Sequence, residues 1–138
     1  MSRLKDGLIA GAVASIVGGI PSTLYSLVTG ADVLEPTRAA GSMIVSDDAP
    51  NEVLLAAAVP VHLALSLGWG VALSLILPRK RPLLYGATAG AAIAALDLGV
   101  VGPRFPRIRA LPQGAQIADH ICFGAVVAIV LSRRRSAA

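Results

Sequence analysis

The sequence predicts an all-α protein, a four-helix transmembrane bundle, and three observations predict it. Four runs are each apolar over about 20 residues, the length a helix needs to cross a bilayer. The basic residues gather at the ends of those runs, and small residues recur four apart along each of them. The rest of the composition agrees. Hydrophobic residues make up 55% of the 138 and charged residues 14%, against about a quarter charged in soluble domains. Aromatics are only 4%, so a water-soluble core would lack large side chains to bury, whereas close-packed membrane helices use small ones. A closed barrel is the other spanning solution, but these runs lack period-two alternation and are too long for strands.

The elements follow in order, within a single integral membrane domain over 1–138. Residues 7–28 form the first span and carry no charge. Its opening, MSRLKDGLIAGAVA, resembles a signal peptide, yet the apolar run continues well past any cleavage point, so it reads as an uncleaved signal anchor. The long first loop contains EPTRAAGSMIV, with Pro36 placed for a first helical turn and good helix formers after it, which predicts either a short interfacial helix or an ordered loop capping the bundle. Residues 53–77 form the second span, with His62 its one titratable group. The third, 83–102, contains Asp97, and the fourth, 114–132, contains Asp119 and His120. Pro21 and Pro60 each remove a backbone donor and are candidate kinks.

Every span offers a small-residue stripe for close packing: Gly7 and Gly11; Ser66, Gly70 and Ser74; Gly86, Gly90 and Ala94; Gly114, Ala118 and Cys122. These imply a compact bundle in the lipid bilayer, with surface left for a homo-oligomer or a larger membrane complex. GVALSLILPRKR (70–81) aligns without gaps on GAVVAIVLSRRR (124–135). Either the chain is a parallel duplication, or both segments are helices ending at the same membrane face.

Counting Lys and Arg near span ends sets the orientation. With both termini cytoplasmic, Arg3, Lys5, Arg79, Lys80, Arg81, Arg133, Arg134 and Arg135 lie inside, while Arg38, Arg104, Arg107 and Arg109 lie outside with most of the acidic residues. Basic residues placed at span ends are not a nucleic-acid surface, which needs them on one solvent-facing patch. The single Cys122 excludes an intrachain disulfide.

Ionisable residues inside a span are costly and mark a functional hypothesis. At 1.5 Å per residue, His62 lies roughly 15 Å below the outer surface, Asp119 and His120 roughly 10 to 12 Å, and Asp97 roughly 8 Å. All four fall in the outer half, with Arg104, Arg107 and Arg109 packed just above. Three readings compete, and the first is the expectation, with the other two as its alternatives. In the first, the arginines pair with Asp97 and Asp119 and the cluster fixes spans three and four, in an accessory or structural subunit. In the second, the cluster is an outward-open route for a proton or cation in a transporter or channel subunit. In the third, His62, Asp119 and His120 bind a metal, or the two histidines a haem; against it, Asp119 and His120 are adjacent and point about 100° apart, and aromatics to line a haem pocket are few. No cofactor is expected, and with no nucleophile beside a base, no enzyme either.

TRAAG (37–41), ALDLG (95–99), RFPRIRALP (104–112) and ADH (118–120) together resemble small four-span membrane proteins from bacterial genomes. That resemblance covers most of the chain. It implies a bacterial inner-membrane setting and no particular activity.

Overall fold

The computed structural model describes residues 2–136. Four helices long and apolar enough to cross a membrane occupy Arg3–Thr29, Asn51–Ile76, Pro82–Arg104 and Gln113–Ser136. The second and fourth are continuous, while the first and third are interrupted. Helix α1 (Arg3–Val17) is capped by Ser2, whose hydroxyl accepts from the Lys5 amide at 3.3 Å. It stops at Gly18 and Gly19, and α2 (Ile20–Thr29) begins with Pro21 in its first turn. Proline suits that position because it lacks the N–H that would be orphaned there. Pro21 therefore opens a second helix instead of kinking one. Gly30, at φ 73°, ends α2 in the left-handed conformation.

The short helix expected from EPTRAAG is α3 (Glu35–Gly41). A Cβ on Gly41 would strike the Leu54 carbonyl, so only glycine lets α3 lie this close on α4 (Asn51–Ile76). Helix α4 runs through Pro60 without interruption. Helix α5 (Pro82–Leu96) passes into a π turn at Asp97–Val101 and a 3-10 turn at Gly102–Arg104. Helix α6 (Pro106–Ala110) then leads to α7 (Gln113–Ser136).

The glycine contacts reveal how the spans pair. A Cβ on Gly70 would lie 2.5 Å from the Gly7 carbonyl and 2.7 Å from the Gly11 Cα. A Cβ on Gly124 would meet the Gly86 carbonyl and lie 2.9 Å from the Gly90 Cα. One on Gly11 would meet the Ser66 carbonyl and the Leu67 Cα, and one on Gly90 the His120 carbonyl and the Ile121 Cα. The α1–α4 and α5–α7 hairpins thus share one register, glycine for glycine. Both α1 and α5 are 15 residues long and end, at Val17 and Leu96, the same distance past Gly11 and Gly90. The likeness of 70–81 to 124–135 is therefore one of packing register as well as sequence.

The two hairpins meet over Ala10, Ala14, Leu73, Ile93, Val127 and Leu131, all buried. Here the correspondence bends. Ala10 and Ala14, both 0% exposed, let α7 close onto α1. The corresponding pair, α4 and α5, does not pack in this way; Ile93 and Trp69 stand where the first hairpin has Ala14 and the second has Phe123. Large side chains cover the outside instead: Ile16 is 82% exposed, Val28 85% and Ile76 71%. Such a surface is suited to hydrocarbon, not water.

Candidate functional site

The break in the first span explains one of the buried carboxylates. After Gly18 and Gly19, the first turn of α2 presents backbone N–H groups with no carbonyl a turn earlier to receive them. In hydrocarbon each such donor left unpaired costs several kcal/mol. The cap position is Gly19, which has no side chain to help. Asp119 on α7 supplies one from across the bundle: its Oδ1 accepts from the Ser22 amide at 2.8 Å. Ser22 is the third residue of α2, the amide that a helix's own cap side chain ordinarily satisfies. The carboxylate also faces the positive end of the α2 dipole.

The neighbouring residue serves the other interrupted span. Asp97 opens the π turn, where the Gly102 amide reaches back to the Asp97 carbonyl. His120 Nε2 lies 3.3 Å from Asp97 Oδ2, and its Nδ1 lies 2.7 Å from the Gln116 carbonyl. A carbonyl only accepts, so Nδ1 carries a hydrogen and donates to it. The contact between Nε2 and Oδ2 then needs a second proton, held on the imidazolium or on the carboxyl. Adjacent on α7 and turned apart, Asp119 and His120 thereby bridge the breaks of both spans.

His62 does not join this row. Its Nε2 bonds to the Ser15 carbonyl at 2.8 Å on the exposed α1–α4 seam, so the expected four-residue cluster holds three. In the shared register His62 stands where α7 has Gln116. His62 and His120 are tied to carbonyls on different helices, and His62, Asp119 and His120 do not converge. Among the described residues, no three His, Cys, Asp or Glu side chains form a metal-binding group.

The arginines also go elsewhere than expected. Arg107 Nη1 pairs with Glu35 Oε1 at 2.7 Å, and its Nε and Nη2 bond the Asp47 carbonyl at 3.2 and 3.1 Å. Arg104 reaches back to the Val100 carbonyl at 3.1 Å, and Arg109 is exposed. None of the three caps Asp97 or Asp119. The acidic first loop folds over α6 and takes Arg107 first, leaving the membrane carboxylates to the α2 amide and His120.

Glu35 is the centre of this loop network, bonding Arg38 Nε at 2.9 Å while Arg38 also pairs with Asp32. The Leu34 amide and then Arg38 hold the Asp32 carboxyl below its ordinary 3.8, and Asp32 and Glu35 hold Arg38 firmly protonated. The Asp32 contact therefore stabilises the loop above the ordinary aspartate value and is lost as pH falls through the lower, folded one. Amide exchange is expected to show Leu34 protection constant from neutral pH to about 3.8 and collapsing below it. Protection lost already at neutral pH would contradict this network.

A cavity of about 180 Å³ lies beneath the loop, lined by Ser26, Asp32, Glu35, Arg107 and Leu111 among others. Ser26, which lines it, lies one α2 turn from Ser22, and both are buried. Beside the row, Gln116 Nε2 is buried without a hydrogen-bond partner, the only such side-chain atom among the described residues. Sequence reasoning missed Ser22, Glu35 and Gln116. The GGIP run at 18–21 carried the signal for the first, since two glycines and a proline punctuate a helix. Comparison with known protein families, with curated proteins and with solved structures finds no match for this chain.

Proposed function

We propose that this chain is a proton- or cation-handling membrane protein, a small transporter or channel subunit of the bacterial inner membrane with both termini cytoplasmic. One observation carries the reading: the two hairpins interrupt their first spans at corresponding residues, Gly18 and Asp97, and the row of titratable groups lies at those two interruptions. Paired interruptions in corresponding halves are where transporters place their binding sites, because a broken helix exposes backbone ends that bind ions. Here the Asp97–His120 contact is the site offered to a proton, and the cavity touches Ser26 one turn along α2 from Ser22, whose amide bonds Asp119. Ala10, Ala14, Leu73, Ile93, Val127 and Leu131 close the half toward the termini. Passage then requires α2 and the π turn to move, or copies to associate.

The test is proton flux in proteoliposomes carrying a pH-sensitive dye. Wild type is expected to conduct under an imposed gradient, and Asp97→Asn and His120→Gln to lower the rate at least about tenfold while staying folded. A silent wild type, in vesicles that pass a control ionophore current, would overturn the proposal.

The accessory reading has its own support. Asp97, Asp119, His120 and His62 each have a partner within the chain, so all four have structural work without any transported species. The same silent wild type, together with unfolding of the cluster variants, favours it.

A further inference from the structure

The end of the bundle that holds both termini carries a second polar site. Arg3, Lys5, Arg79, Lys80, Arg81, Arg133, Arg134 and Arg135 face Asp6 as the acidic residue at that end, paired with Arg134 at 2.7 Å. So strong a like-charge field attracts an anion. A cavity of about 80 Å³ opens there between the α4–α5 connection and the last turns of α7. Its polar lining is Arg79, Arg135, Ser132 and Ser136, and Leu77 and Leu131 are on its apolar side. Arg135 is held in place: Nη1 donates to the Leu77 carbonyl at 3.1 Å and Nη2 to the Ser74 carbonyl at 2.6 Å, satisfying the free end of α4. A guanidinium carries five N–H donors, so others stay available. Arg79 has no hydrogen bond among the described residues and sits on the tight connection that Arg81, at φ 49°, turns.

We infer that this cavity binds the phosphate of an anionic phospholipid, between Arg79 and Arg135, with the acyl chains along the open α4–α5 seam. Its size suits a phosphate group and is well below the roughly 300 Å³ where small-molecule pockets begin. Three features favour a lipid over a soluble anion. The cavity lies at the end of the spans, at headgroup depth. Half its lining is apolar. The helices on either side of it, α4 and α5, do not pack closely on each other, whereas the corresponding α1 and α7 close over Ala10 and Ala14. Basic pockets between helix ends are known anionic-headgroup sites.

Native mass spectrometry and thermal unfolding of the detergent-solubilised chain test this, with phosphatidylglycerol, phosphatidylcholine and inorganic phosphate as probes. Wild type is expected to retain one phosphatidylglycerol and to unfold at higher temperature with it, and to do neither with phosphatidylcholine. Arg79→Gln should unfold like wild type without lipid and bind phosphatidylglycerol about fivefold more weakly. Ser132→Leu, which fills the cavity, should abolish retention. Equal retention of the two lipids, or binding that neither variant changes, overturns the inference. Competition by millimolar phosphate overturns the lipid in favour of a soluble anion.

Discussion

Asp119→Leu is expected to destabilise the fold by about 2–3 kcal/mol, measured by thermal or denaturant unfolding in detergent. Two costs add. The Ser22 amide loses its acceptor at 2.8 Å, and a buried donor left unpaired costs roughly 1–3 kcal/mol. The α2 helix also loses its cap, worth about 0.5–2 kcal/mol. The costs overlap because one hydrogen bond carries both. Asp119→Asn separates shape from charge. Its amide oxygen still accepts from Ser22, so stability should fall by less than about 1 kcal/mol. A leucine variant as stable as wild type would show that α2 does not depend on this cap. The asparagine variant also divides the functional readings, since a folded protein without the carboxylate should conduct poorly if the group handles ions and unchanged if it only caps.

Gly70→Ala and Gly124→Ala are expected to cost about 1–3 kcal/mol each, and by similar amounts, because they are corresponding residues of the two hairpins. A Cβ at either meets backbone atoms of the partner helix, which cannot rotate aside as a side chain can. The helices must separate, and dispersion contacts are lost along the crossing. Gly68→Ala is the control. It lies one residue from Trp69 in the same α4 with nothing within 4 Å of its Cβ position, so the helix-propensity gain of about 0.5–1 kcal/mol should appear alone. A large asymmetry between Gly70→Ala and Gly124→Ala would refute the shared register. Gly90→Ala belongs to the same class but pushes on the His120 carbonyl, so it should loosen the Asp97–His120 contact as well.

The sequence by itself determined the four apolar spans, the glycine stripes that pair them and the helix signal that Pro36 carries. Each of these is a periodic or local property: hydrophobic length, four-residue spacing, and proline at a first turn are written along one segment at a time. What only the tertiary structure decided was partnership. The arginines of RFPRIR were expected on the nearest carboxylates, yet Arg107 took Glu35, some seventy residues away in the chain, because the acidic loop folds over α6. His62, expected beside His120, faces α1 on the other hairpin and drops out of the cluster. Asp119 found its role in a backbone amide, Ser22, which no side-chain pattern announces. The length and apolarity of a span follow from counting residues. Which groups meet follows from how each helix is rotated, which the glycine crossings set, and from where it breaks, at Gly18 and at the π turn of Asp97–Val101.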